Sequence, residues 1–468
     1  MKRSASNFLS VVLSDILRRC IGFFAVAYLA RKLGTSGFGM VNIALMALTY
    51  ALVISSAGLH SLGTREVARG DPSRIAPNII GLRLTLSVIT YLAIAGVTFL
   101  FVQSDVLRSL IAIFTLSVFP LSFFLDWYFQ GKEEMGKMSF AKLVSGGVYF
   151  CGLLIFVHSI ASILWVGVAI VVGDFVSTSI LIALFWRRYG PLRIAFDIKR
   201  WGSIMKQAIP MGGGSILATL CVNLPVLALG VMASEYSVGI FSAAAKLVMF
   251  LLFLDRGFGM LLLPASSRLH ALSQIDLRNY LSRALKWILV IALPLTVGGT
   301  ILAPKIIALI FGAQFAESGP VLRVAIWFFL FTMIHTVYTT GLIASGREAM
   351  YGKIMLISTV IYVVCVVGGI YFLGVIGAAY GASAGEAITL LISAATLNKY
   401  VRVQAPDKTF HILLALVAMG IVVYSLYSGH VVVSIAAGAT VYAACLLLLR
   451  AVSVQEIAGL VRHQEAAL

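Results

Sequence analysis

Charge is scarce in this chain. Only 11% of its 468 residues are Asp, Glu, Lys or Arg, whereas 60% are hydrophobic and the mean hydropathy is +1.02. That balance excludes a soluble globular domain and leaves an all-α, polytopic membrane protein. Acid is scarcer than base, 18 residues against 35, for a formal net charge of +17. In a soluble protein such an excess points to nucleic acid. Here no run of alternating basic and aromatic residues lies outside the apolar stretches, so nucleic acid is not a partner. Cysteine is sparse as well. Cys20, Cys151, Cys221, Cys365 and Cys445 all fall in apolar runs, and none belongs to a CxxC or Cys/His cluster. Neither a disulfide framework nor a metal site is indicated, and no cofactor is implied. Large outward loops are also missing. The longest, near Ala303–Pro320, has Lys305 and Glu317 as its charges and no nucleophile–base pair. That weighs against a membrane enzyme such as a glycan polymerase or ligase.

What remains is a series of apolar runs of the length a bilayer needs, about 20 residues at roughly 1.5 Å each. About fourteen are expected, near 7–31, 37–59, 79–102, 108–130, 140–158, 163–186, 207–233, 239–263, 283–303, 321–344, 354–373, 375–398, 410–427 and 431–449. The basic start Lys2-Arg3 leads into a run too long for a signal-peptide core and without an A-x-A exit, so it reads as an uncleaved first span. Lys and Arg concentrate in the even-numbered connections, among them TREVARGDPSR, RRYGPLRIAFDIKRW and KYVRVQAPDK. The positive-inside bias then places both termini in the cytoplasm. The expected organisation is an N-terminal lobe over 1–186 (spans one to six), a basic linker over 187–206 and a second lobe over 207–398 (spans seven to twelve). A C-terminal pair over 410–449 follows (spans thirteen and fourteen). The linker carries Arg187, Arg188, Arg193, Lys199, Arg200 and Lys206. It is expected on the inner membrane surface, where anionic lipid favours each basic group by about 1 kcal/mol.

A faint repeat relates the halves. LGTSGFGMVNIALMAL precedes and opens the second span, MASEYSVGIFSAAAKL the eighth, and Gly39 and Gly239 take the same place in each. An even span number per half gives both the same orientation, related by an axis along the membrane normal.

Against this apolar background a few charged positions stand out. The first span, NFLSVVLSDILRRCIGFFAVAYLARKL, holds Asp15, Arg18 and Arg19 at its middle, with the acid three and four residues before the arginines. An arginine near the centre of a span costs between about 3 and 15 kcal/mol, so such groups face a bundle interior or a water-filled cavity. The bland alternative is a short structural ion pair. The eighth span adds Lys246, Asp255 and Arg256; the lysine and arginine are ten residues apart, or roughly 15 Å along a helix. Asp174 is central in the sixth span, with Ser177 and Thr178 on its face, and is a partner for an arginine of the first. His335 in the tenth span and Glu386 in the twelfth are candidates for proton coupling or for satisfied structural hydrogen bonds. Asp126 sits beside Trp127 and Tyr128 near the inner end of the fourth span and reads as an interfacial anchor.

Three stretches carry a resemblance: ARKLGTSGFGMVNIALMALTYALVISSAGLHSLGTREVAR from Ala30 to Arg69, VGIFSAAAKLVMFLLFL in the eighth span, and APKIIALIFGAQFAESGPVLRV before the tenth. Together they resemble the oligosaccharide flippases of the multidrug/oligosaccharidyl-lipid/polysaccharide exporter superfamily, similar to bacterial O-antigen flippases. The resemblance implies twelve to fourteen helices in two lobes around a central cationic cavity. It also implies transport of an undecaprenyl-diphosphate-linked oligosaccharide from the inner to the outer leaflet of the bacterial cytoplasmic membrane by alternating access. A polysaccharide polymerase and a chain-length regulator are the protein partners it implies. One departure is Asn223-Leu224-Pro225, where many relatives carry an acid, so a coupling role for that acid does not transfer.

A diphosphate cannot cross hydrocarbon unaided, since an isolated ion in low dielectric costs on the order of 20 kcal/mol. Guanidinium groups suit phosphate through paired donors. The substrate-binding candidates are therefore Arg18 and Arg19, tempered by Asp15, with Lys246 and Arg256. Asp174, Asp255, His335 and Glu386 are the coupling or cavity-polar candidates. Lipid II and a multidrug cation are the alternative cargoes within the same superfamily, and the cationic candidates disfavour the drug.

Overall fold

The computed structural model describes residues 2–70 and 76–452, with the side chains of residues 2–16 and of residue 215 outside that description. The described chain is helical: α1 (Lys2–Ser56), α2 (Leu59–Ala68), α3 (Ala76–Phe101), α4 (Asp105–Thr115), α5 (Val118–Ser122), α6 (Asp126–Gly131), α7 (Met135–Phe156) and α8 (Leu164–Tyr189). It continues as α9 (Ile198–Met232), α10 (Glu235–Leu272), α11 (Gln274–Phe311), α12 (Ser318–Ala344), α13 (Glu348–Leu397), α14 (Thr409–Ser425) and α15 (Val431–Leu448). Among the described residues ten helices are long and apolar enough to cross a membrane, or eleven if α9 is one bent span. This is a multi-pass membrane protein.

Two glycines do what the hydropathy gaps anticipated. Gly34 (φ 69°) breaks α1 and Gly374 (φ 61°) breaks α13, both in backbone regions that side chains resist. These breaks fall in the gaps expected between the first and second and between the eleventh and twelfth spans. The fourth expected span, 108–130, is different. It is not one helix but three short ones, α4, α5 and α6, with turns after Thr115 and Ser122. Within α9, a 52° bend separates Ile198–Gly214 from Ile216–Met232, after Pro210 and a run of three glycines.

The chain forms two compact units, Met1–Gly230 with Ser234–Gly239, and Val231–Ala233 with Ile240–Leu468. The first unit takes in α9 as far as Gly230. Ile204 and Ala208 are buried there with Leu59, Ile80, Trp127 and Phe129. Of the expected linker 187–206, only residues 190–197 lie outside helices, and they are fastened to α3. Ala195 N–H donates to the Pro77 carbonyl at 3.0 Å and Asp197 N–H to Asn78 Oδ1 at 3.2 Å. Ala195 also crowds Gly81, where a β-carbon would stand 2.1 Å from the Ala195 carbonyl oxygen.

The repeat glycines meet one another within the first unit. A β-carbon on Gly39 would stand 1.7 Å from the Glu235 carbonyl oxygen, and one on Gly239 would stand 2.0 Å from the Thr35 carbonyl oxygen. Only hydrogen fits at either place. In the second unit the core gathers α11, α14 and α15 around Leu302, Ile412, Met419, Val423 and Leu446. There the Tyr442 hydroxyl donates to the Val290 carbonyl at 3.1 Å.

Candidate functional site

Among the described residues, two clusters of polar side chains join different helices deep in the structure, and they lie in different units. In the first, the broken fourth helix leaves backbone carbonyls without helical partners, and Arg83 of α3 supplies them. Its Nη1 donates to the Phe124 carbonyl at 3.2 Å and its Nη2 to the Leu121 carbonyl at 3.0 Å, and the residue is buried. A guanidinium provides several donors in a fixed fork, which suits two carbonyls at a helix break. Next to it, Asp126 opens α6, beyond the Asp105–Ser122 span. Its Oδ2 lies 3.3 Å from His60 Nε2 and 3.7 Å from Lys142 Nζ. Burial pushes the Asp126 carboxyl up. The hydrogen bond from His60 and the charges of His60, Lys142 and Arg83 outweigh it, so the group is held below the usual carboxylate value. Asp126 is therefore an internal electrostatic hub rather than an interfacial anchor. Its neighbours Trp127 and Tyr128 are buried at 1% and 6% exposure, not spread at the membrane surface.

In the second unit, three of the sequence candidates come together. His335 on α12 places Nδ1 2.9 Å from Glu386 Oε1 and Nε2 3.1 Å from Ser393 Oγ, both on α13. Glu386 and Ser393 are seven residues apart, close to two helical turns, so the ring bridges one face of α13. The next residue on α12, Thr336, donates to Asp255 Oδ1 of α10 at 2.6 Å.

The cationic candidates divide between the units. Arg18 is exposed and Arg19 half-buried on α1, and the Arg18 stem runs past Gly146 of α7. Asp15 lies outside the described residues. Lys246 is half-buried on α10, and Arg256, ten residues on, is exposed. Asp174 is half-buried on α8 beside Ser117, and its backbone carbonyl accepts from Ser177 Oγ at 2.9 Å.

A single arginine within the apolar run GLRLTLSVITYL was the signal for Arg83, and GLHSLG for His60; neither reads as a site without its partner. Ser393 and Thr336 carry no such signal.

A family model for "Polysaccharide biosynthesis protein" matches residues 4–270. The chain belongs to this family. A Shigella dysenteriae protein named "Putative O-antigen transporter" is 23% identical over 364 residues, covering 76% of this chain and 90% of that one. Among solved structures, the lipid II flippase MurJ in an inward closed conformation superposes with a TM-score of 0.76 at 15% identity, covering 93% of this chain and 97% of MurJ. An inward-facing multidrug resistance transporter of the MATE family, from the MOP superfamily, gives 0.62 at 15% identity, over 82% and 94% of the two chains. At such identity these structures establish a shared fold.

Proposed function

We propose that this chain translocates an undecaprenyl-diphosphate-linked oligosaccharide, an O-antigen or other surface-polysaccharide unit, from the inner to the outer leaflet of the bacterial cytoplasmic membrane by alternating access. It acts as a transporter rather than an enzyme. The observation that carries the reading is the placement of cations within apolar helices of an exporter fold: Arg18 and Arg19 on α1, and Lys246 and Arg256 on α10. Such groups are costly in hydrocarbon and suit a diphosphate headgroup. Fourteen crossings fit the helix lengths. α9 as one bent span makes eleven, α14 is a shorter apolar helix, and Gly34 and Gly374 divide α1 and α13 into two crossings each. An even number puts both termini on one side, and the basic connections make that side the cytoplasm. Membrane potential assists the direction: two negative charges moving outward across 100 mV gain about 4–5 kcal/mol. A polymerase and a chain-length regulator would take up the product.

The shared fold with MurJ supports a second reading, lipid II as the cargo. Reconstitution with each lipid-linked glycan, scored by accessibility at the outer leaflet, decides between them. Movement of the O-antigen type of lipid and not of lipid II supports the first reading; movement of neither removes both.

A further inference from the structure

We propose that His335, Glu386 and Ser393 form a one-proton exchange site in the second unit, with Asp255 as its neighbouring carboxylate, and that this proton is taken up and released in the transport cycle. The second clause rests on the transport reading above; the first does not.

The hydrogen bonds themselves distinguish this site from a static ion pair. A contact of 2.9 Å between a ring nitrogen and a carboxylate oxygen needs one proton between them. The other ring nitrogen faces a hydroxyl at 3.1 Å. A hydroxyl both donates and accepts. With the ring neutral, Nδ1–H donates to Glu386 and Ser393 donates to Nε2. With one proton more, Nε2–H donates to Ser393 and the Nδ1···Glu386 bond persists. Both ring nitrogens stay partnered in both states, so neither state incurs the roughly 1–3 kcal/mol of an unsatisfied buried group. A backbone carbonyl in place of Ser393 would have locked the ring protonated, and a backbone N–H would have locked it neutral. The added proton changes the site's charge by one and leaves its geometry intact.

The surroundings fit the same role. Thr336 holds Asp255 at 2.6 Å from the residue adjoining His335, so the two hydrogen-bonded carboxylates approach α12 from different helices. The charged and titratable groups that act here are Asp255 and Arg256 from α10 and Glu386 and Tyr351 from α13. The other helix packed on α12, α11, meets it through apolar contacts: Leu281 against Gly341, Gly299 against Ile326 and Pro304 against Gly319. With the ring neutral, two carboxylates stand against one guanidinium, and proton uptake relieves that excess. His335 and Glu386 keep 11% and 14% of their side-chain surface outside protein contacts. Both lie well inside their spans, where a bound proton is part-way across the membrane.

Two measurements test it on the full-length chain. Proton uptake by the purified protein is compared between pH 5 and 8, histidine's ordinary range, for wild type, Glu386→Gln and His335→Gln. The amide introduced by Glu386→Gln still offers an oxygen to the ring, so the fold is kept. One proton of uptake present in the wild type, missing from His335→Gln and reduced over that range in Glu386→Gln, which lacks the carboxylate charge that favours the added proton, is expected; equal uptake in all three overturns the site. In proteoliposomes carrying a fluorescent polyprenyl-diphosphate glycan, an outside-acid gradient should speed outward movement by the wild type, and Glu386→Gln should move the lipid at a rate that ignores the gradient. Equal gradient response in both proteins, or none in the wild type, overturns the coupling. One missing proton in His335→Gln with no lipid movement by any protein upholds the site and contradicts the transport reading instead.

Discussion

The two polar clusters are built from similar side chains to opposite effect. In the first unit a single carboxylate, Asp126, is surrounded by His60, Lys142 and Arg83 at the end of a broken helix. In the second, a single imidazole meets Glu386 and a hydroxyl, with Asp255 alongside. The first arrangement has one preferred charge state, because every neighbour favours the ionised acid and Arg83 is already committed to two backbone carbonyls. The second tolerates two, because Ser393 can reverse the direction of its hydrogen bond. Surplus cation fixes a structure; surplus carboxylate around an ambivalent ring permits a switch.

The sharpest way to break the comparison is Arg83→Leu. It takes the side-chain donor from the Phe124 carbonyl, leaves the Leu121 carbonyl with only its turn bond from Phe124 N–H, and removes a cation from beside Asp126. A loss of about 3–5 kcal/mol is expected, read as a fall in thermal midpoint in detergent. Arg83→Lys should recover part of it. An unchanged midpoint in Arg83→Leu would show that the break in the fourth span is held by something else.

A smaller effect separates the two acids. Asp126→Asn should cost roughly 1–3 kcal/mol, since the amide has no charge for His60, Lys142 and Arg83 to stabilise. Glu386→Gln should cost under about 1 kcal/mol, since the amide oxygen still accepts from a neutral ring. If the two variants lose equal stability in the same unfolding assay, the distinction between a fixed and a switchable cluster fails.

The smallest effect is on pH dependence. A carboxyl held below its ordinary value contributes stability that is present above the unfolded value, about 4 for aspartate, and that disappears as pH falls through the folded value. The gap in thermal midpoint between wild type and Asp126→Asn should therefore be full at pH 7 and close in acid below about pH 4. A gap that widens in acid would reverse the sign of the interaction.

Much of the architecture was legible because hydropathy and glycine act locally. The breaks at Gly34 and Gly374 fall in the expected gaps, and the apolar lengths of α3, α7, α12 and α15 follow from composition. The break in the fourth span was not legible, because its apolar residues continue through it and the guanidinium that makes it tolerable lies on α3. Gly39 and Gly239 were visible as a repeat but not as neighbours. Likewise His335, Asp255 and Glu386 were visible as mid-span polar residues, while their union depends on contacts 51 and 81 positions apart. Pattern along the chain identifies costly residues; only packing says which of them offset one another.

The transport reading turns on α1. The direct measurement is outer-leaflet accessibility of a lipid-linked oligosaccharide in proteoliposomes, comparing wild type with Arg18→Ala/Arg19→Ala at matched insertion. Loss of charge-assisted contacts to a diphosphate, about 1.5–3 kcal/mol each, should slow translocation tenfold or more. Wild-type translocation by the inserted double variant would contradict a role for the α1 arginines in carrying the cargo.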